Sequence, residues 1–214
     1  MHLAEKKTLK AVKDAIETSK ARKFSESVDL AINLKDIDLS IPKNRVDDEV
    51  LLPNGRGKPI KIAVFGSGEL AIKAKKVADL VITPEELDDL ADDKKQAKKL
   101  ANDHVFFVAE APLMPVIGKK LGVVLGPRGK MPKPIPPSAD PAPLINNLRR
   151  TVRIRSKDRR TFHAPVGTKE MSIEDLAENV DEIIKRLIGK LERGKMNIAS
   201  VYIKTTMGKS VRLM

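Results

Sequence analysis

Three clusters in this sequence have residue types and spacings suited to binding chemistry. The first is Gly66-Ser67-Gly68-Glu69-Leu70-Ala71, which fits G-x-G-x-x-[GA]. It follows an apolar run and opens a helical pattern, the arrangement in which a backbone turn cradles a pyrophosphate. Glu85 or Glu86 stands near the ~20-residue offset of a ribose-binding acid. A nicotinamide-dependent enzyme is therefore the competing reading. The motif is weak alone, however, and no catalytic constellation accompanies it. A tight strand-to-helix turn explains the same residues and is preferred. His2, His104 and His163 stand far apart, none at metal-ligand spacing, and the chain has no cysteine. The reading expects no cofactor, no metal and no enzyme activity.

The second cluster is Gly126-Pro127-Arg128-Gly129-Lys130-Met131-Pro132-Lys133-Pro134. Glycines allow close backbone approach, prolines hold the chain extended, and Arg128, Lys130 and Lys133 offer cations, so these three are expected to contact phosphates. The third is Lys204-Thr205-Thr206-Met207-Gly208-Lys209-Ser210. Hydroxyls bond 2′-OH groups and phosphates, Gly208 brings the backbone near, and Met207 can lie flat on a sugar or base. The wide, shallow minor groove of double-stranded RNA suits such small groups. An ordinary hairpin turn with β-favouring threonines is the alternative.

Charge favours the polyanion readings. The 214 residues carry a formal net charge of +12. Residues 119–160 hold twelve Lys or Arg against only Asp140 and Asp158, so this stretch supplies ten of the twelve net charges. By contrast, residues 85–93 pack six carboxylates, read as a solvated helix face. No apolar run approaches the ~20 residues that span a bilayer, and the N-terminus lacks a signal-peptide apolar block, so a cytoplasmic protein is expected. The hydrophobic fraction of 41% is enough for a buried core, which the scarcity of aromatics assigns to Val, Ile, Leu and Ala.

These clusters need elements to position them. Leu9, Val12 and Ile16 recur at helical spacing and predict an amphipathic helix over about 4–21. A strand follows, with Phe24, Val28, Leu30, Ile32 and Leu34 on one parity and Glu26 as the exception. Pro53-Asn54-Gly55-Arg56-Gly57-Lys58-Pro59 marks a boundary. Beyond it, buried strands at 60–65, 80–82 and 105–108 alternate with helices at about 69–78, from Thr83 onward, and 113–121, which predicts a parallel α/β sheet. Residues 126–143, with seven prolines, are expected to be an exposed loop. One or two helical turns at 144–150 precede strands at 152–155 and 161–166. A long helix opens at Ser172, and strands around 198–205 and 210–213 close the chain.

Four segments, in order along nearly the whole chain, resemble the large-subunit ribosomal protein one family, the proteins of the mobile side stalk. They are Arg22-Lys23-Phe24 leading into a strand, Leu125-Gly126-Pro127-Arg128-Gly129-Lys130-Met131-Pro132, His163-Ala164-Pro165-Val166-Gly167, and Tyr202 through Thr205-Thr206-Met207-Gly208-Lys209-Ser210-Val211-Arg212. Lys130, where the bacterial form often has Leu, and the short N-terminus resemble the archaeal form. The resemblance implies an α/β fold of two domains. Residues 1–54 and 152–214 would form a split α/β domain carrying the main RNA-binding surface. Residues 55–151 would form an inserted Rossmann-like domain with a parallel sheet. It implies binding to side-stalk large-subunit ribosomal RNA, assistance in release of deacylated tRNA from the exit site, and repression of the protein's own mRNA. A ribosomal location, no membrane partner and a monomeric free state go with it. Carried over by position, Lys23, Phe24, Ser27 and Asp29 belong to the RNA face, with Lys204, Thr205, Thr206, Met207, Gly208 and Ser210. Ser27 keeps the hydroxyl of the Thr common there, and Asp29 is shorter than the usual Glu.

Overall fold

A computed structural model describes residues 5–214. In chain order the elements are α1 (Lys6–Glu17), β1 (Ser27–Leu34), β2 (Asp47–Leu51), β3 (Ile62–Phe65), α2 (Gly68–Ala74), β4 (Leu80–Ile82), α3 (Pro84–Asp92), α4 (Lys94–Asp103), β5 (Phe106–Glu110), α5 (Met114–Leu125), β6 (Lys133–Ile135), α6 (Ala142–Arg149), β7 (Thr151–Arg155), β8 (Thr161–Thr168), α7 (Ile173–Lys190), β9 (Ile198–Thr205) and β10 (Val211–Arg212). The fold is mixed α/β, and the chain divides into two compact units, one of Pro59–Arg149 and one of the segments on either side.

The split unit is built on an antiparallel sheet of order β10-β9-β1-β8. β1 alternates strictly: Val28, Leu30, Ile32 and Leu34 are buried, while Ser27, Asp29, Ala31 and Asn33 are half-buried. One face therefore packs in a core with Val12 and Ala15 of α1 and with Leu176, Val180, Ile183 and Leu187 of α7, and the other is polar. α7 starts where Ser172 accepts the Asp175 N–H. α1 stops near Thr18, whose hydroxyl bonds back to the Asp14 carbonyl at 2.7 Å. It is shorter than the expected 4–21, and residue 4 lies outside the described residues. β2 and β7 form a separate two-stranded ribbon, so the strands at 151–155 and 161–168 pair with different partners.

The inserted unit has a parallel sheet of order β4-β3-β5-β6. Ala63, Phe65, Phe107 and Ala109 face Leu87, Ala97, Ala101, Ile117 and Leu121 of α3, α4 and α5. Ile62, Val64, Phe106 and Val108 face Leu70 and Ala74 of α2 and Ile145 and Leu148 of α6. Both faces are covered, which is why β3 and β5 read as continuous apolar runs.

Several sequence expectations need correction. Residues 126–143 are not wholly loop: β6 pairs in parallel with β5, and α6 begins at Ala142. Pro134 is accommodated because β6 is an edge strand, where a missing N–H costs no ladder bond. Phe24 lies outside β1 and is 52% exposed, whereas Glu26, expected to break the pattern, is 2% exposed. β2 and α4 are additional elements that the sequence pattern does not announce. Residues 55–58 and 150–151 belong to the split unit. The buried Asn179 amide donates to the Gly55 carbonyl, and the Arg150 carbonyl accepts from Leu52.

Candidate nucleic-acid interface

The polar face of the split unit's sheet is a ladder of short side chains. In one row the Thr161 hydroxyl donates to Asn33 at 2.7 Å, and Asn33 donates to Ser200 at 2.8 Å. In the next, His163 and Tyr202 flank Ala31. Asp29 then pairs with Lys204 on one side and Pro165 on the other. At the end of the ladder the turn after β9 folds onto the start of β1. Thr206 N–H donates to the Ser27 carbonyl at 2.9 Å, and its Oγ1 accepts the Ser27 N–H at 3.1 Å. Residues nearly 180 positions apart thus become neighbours, and Ser27, Asp29, Lys204, Thr206, Met207 and Gly208 share one region. Lys23, Phe24 and Ser210 are exposed in the segments flanking it, and Met207 is 60% exposed.

Thr205 does not belong to this surface. It is 0% exposed, and its hydroxyl is buried without a partner. It occupies an inward position of β9, where the two-residue alternation points side chains into the core. Gly208 is needed for a reason internal to the turn: a Cβ there would stand 2.3 Å from Thr205 Oγ1.

Arg56 and Lys58, within the proline- and glycine-rich 53–59 stretch that reads only as a boundary in sequence, also belong to this face. Lys58 Nζ donates to Ser27 Oγ at 2.8 Å. Asp29 carries a carboxyl pushed above its ordinary value by burial, against the opposing charges of His163, Arg56, Lys204 and Lys58. Burial in turn lowers Arg56, and Asp29 pulls it back. One carboxylate is thus set among several cations, a surface on which anions gain and single acids are tolerated. The Gly-Arg-Gly-Lys composition of 55–58 was the available signal, since it parallels Gly126–Lys130. Tyr202 and His163, opposite Ala31, are further residues of the face.

The three cations of the inserted unit differ among themselves. Arg128 is exposed and donates to the Val124 carbonyl at 2.9 Å. Lys133 lies half-buried in β6. Lys130 turns inward, its ammonium donating at 2.7 Å to each of the Ala101 and His104 carbonyls at the end of α4. Burial, and secondarily Arg128, lower its pKa. Its expected phosphate contact is corrected to an anchor, because those carbonyls have no helical donors and attract a cation.

The glycine turn of the inserted unit lies at the C-terminal ends of β3 and β5, where the order of the sheet reverses and a nucleotide fold would hold its phosphates. There the buried Glu110 carboxylate accepts from Ser67 N–H at 2.9 Å and from Ser67 Oγ–H at 2.8 Å. An internal carboxylate takes the donor that a pyrophosphate would use and repels one by charge. Gly68 has φ +48°, and a Cβ on Gly66 would meet Leu70 at 2.4 Å, so both glycines have structural reasons. Among the described residues no group of His, Cys, Asp or Glu is arranged to hold a metal, and no helix is long and apolar enough to cross a membrane. His2 lies outside the described residues.

These features define a class: a two-unit α/β protein in which a split unit presents an open, cation-lined sheet face and an inserted unit has its nucleotide crevice closed from within. The chain belongs to the ribosomal protein L1p/L10e family, whose profile matches residues 13–209. It is 58% identical to large ribosomal subunit protein uL1 of Methanocella arvoryzae over 213 residues, covering 99% of this chain and all of that one. It is 58% identical to the protein of the same name from Thermoplasma acidophilum, over 95% of this chain and 94% of the relative. Against that of Archaeoglobus fulgidus it is 55% identical, over 97% of both. The family is one of ribosomal proteins, not an enzyme class.

Proposed function

We propose that this chain is a structural constituent of the large ribosomal subunit that binds the side-stalk region of large-subunit ribosomal RNA through the open sheet face of its split unit. In this reading it assists release of deacylated tRNA from the exit site, represses its own mRNA through a similar RNA element, and is a cytoplasmic monomer when free. The split unit, which runs to Lys58 and resumes at Arg150, carries the main RNA-binding surface. The inserted unit, Pro59–Arg149, adds secondary phosphate contacts through Arg128 and Lys133. One observation carries the reading: the start of β1 and the Thr206–Gly208 turn, far apart in sequence, meet on a face that offers hydroxyls, an exposed methionine and cations. Small groups on a stiff sheet suit a shallow groove whose shape and 2′-OH groups must be read.

The test is crosslinking in cell lysate followed by sequencing of the attached RNA. Predominantly large-subunit ribosomal RNA is expected; a spread over unrelated transcripts overturns the reading. With purified components, contact with about six phosphates lowers affinity roughly 10³-fold between 50 and 200 mM salt. Lys58→Ala reduces that salt slope by about one unit. Thr206→Val weakens ribosomal RNA binding while leaving binding to an unrelated duplex nearly unchanged.

A further inference from the structure

Glu26 is a carboxylate with 2% exposure on the inward parity of the segment leading into β1, in a position where a sheet normally places an apolar side chain. Its surroundings are built for it. One oxygen accepts the backbone N–H of Met207 at 2.9 Å. The other accepts the Ser19 hydroxyl at 2.5 Å. Ser19 in turn receives the Lys169 ammonium at 3.1 Å on both its hydroxyl and its carbonyl. The Lys169 N–H donates to the Glu26 carbonyl at 2.9 Å. Four segments therefore converge on one side chain: the residues after α1, the approach to β1, the residues after β8, and the turn after β9. The Ser19 and Met207 donors, with support from the Lys169 and Arg22 charges, hold the carboxyl below its ordinary range despite burial. It is an ionised group with its hydrogen bonds made, the condition under which a buried charge is tolerated.

The arrangement has a direction. Thr206 and Met207 are exposed residues of the turn, while the Met207 N–H points inward to Glu26. Thr206 is bonded to Ser27 beside it, and Gly208 N–H closes the turn on the Thr205 carbonyl at 3.2 Å. A short turn has few internal bonds, and an exposed one without an anchor samples many conformations. The Glu26 bond fixes the middle of this one from behind.

We propose that Glu26 is a positioning residue for the RNA-facing turn, its buried carboxylate holding the Met207 amide so that Thr206, Met207 and Gly208 meet RNA in a single preformed geometry. The role rests on the RNA-binding reading above. Glu26 itself does not touch RNA. Removing it leaves the cations of the face in place, so non-specific, salt-driven binding survives while shape recognition is lost.

The experiment compares the full chain with Glu26→Ala and Glu26→Gln, using purified large-subunit ribosomal RNA of Methanocella arvoryzae and an unrelated RNA duplex at two salt concentrations. Hydrogen exchange of the Met207 amide is followed by NMR in the free proteins, and circular dichroism verifies folding. Glu26→Ala should lose Met207 protection and bind ribosomal RNA roughly ten-fold or more weakly, as for loss of a charge-assisted hydrogen bond. Its affinity for the duplex and its salt slope should stay near wild type. Glu26→Gln keeps a carbonyl to accept the Met207 N–H and should restore most of both properties. If Glu26→Ala proves too unstable, the comparison of Glu26→Gln with Ser19→Ala decides: Ser19→Ala should speed Met207 exchange and weaken ribosomal RNA binding more than duplex binding. A folded Glu26→Ala protein that keeps Met207 protected, or that weakens equally toward both RNAs, overturns the positioning role. A wild-type protein that does not prefer the ribosomal RNA overturns the RNA reading itself.

Discussion

The ammonium of Lys130 lies 2.7 Å from both the Ala101 and the His104 carbonyl oxygens, closing the C-terminal end of α4. A lysine in a basic, proline-rich segment thus serves the fold. Lys130→Met should destabilise the inserted unit by about 1–2 kcal/mol, since two carbonyls lose a charged donor. The salt slope of RNA binding should not change. Urea unfolding and salt-dependent gel shifts measure the two quantities; a salt slope reduced by a full unit with unchanged stability would return Lys130 to the phosphate contacts.

Gly208 and Thr205 form a second coupled pair. Gly208→Ala places a Cβ against Thr205 Oγ1, an oxygen close to its own backbone that cannot swing far away. That hydroxyl is buried and unpartnered, so Thr205→Ala alone gives up little polar interaction. Thr205→Ala also leaves its own Cβ 3.5 Å from the new one, an ordinary contact. The double variant should therefore be more stable than the sum of the singles by about 1 kcal/mol or more, the signature of a relieved clash in a double-mutant cycle. Strict additivity of the unfolding free energies would remove the steric account of Gly208.

The sequence made the two-unit architecture and the turn at 205–208 accessible for different reasons. β1 and β3 carry their burial in their spelling: strict alternation for a sheet with one open face, an unbroken apolar run for a sheet covered on both. The junction at 53–59 announced itself through proline and glycine. What remained hidden depends on contacts between distant segments. Glu26 reads as a defect until Ser19 and Met207 are brought to it. Thr205 and Thr206 are identical in type, yet one is inside and one outside, because the last position of β9 decides which way each points. Lys130 and Arg128 differ only in what happens to lie beneath them. α4 is hard to read because its buried stripe is little more than Ala97 and Ala101 among lysines.

Glu110 and Ser67 lead to a prediction about the closed crevice. Glu110→Ala leaves the Ser67 N–H and hydroxyl without their acceptor at a half-buried site. The inserted unit should lose about 1–3 kcal/mol of stability. The wild type should show no saturable micromolar binding in a fluorescence titration with NADH. Saturable binding that Gly68→Ala abolishes would reinstate the cofactor reading.

Asp29 and Asp48 should respond to pH with opposite signs. Burial holds Asp29 above its ordinary value of 3.8, despite His163, Arg56, Lys204 and Lys58. Between that value and the raised one, the folded protein keeps a proton that the unfolded chain has lost. Stability must therefore fall as pH rises through the window, and the deficit persists above it. Asp29→Asn removes the deficit, so its advantage over wild type should grow as pH rises through the window and then level off. Burial also acts to raise Asp48, but the hydrogen bonds from Arg186 and from the Glu49 N–H, with the Arg186 and Lys190 charges, outweigh it and hold the group below 3.8. That contribution is present above the ordinary value and is lost as pH falls through the lowered one. Asp48→Asn should accordingly be less stable than wild type near neutrality, and the difference should shrink toward acid. Urea midpoints for the three proteins from about pH 3 to about pH 7 span the ordinary carboxylate range. An Asp29→Asn protein less stable than wild type at the neutral end would mean that the surrounding cations, not burial, set the balance at this carboxyl. Asp29 would then be a partner that holds Arg56 and Lys58 on the face, and its loss should weaken RNA binding through their displacement.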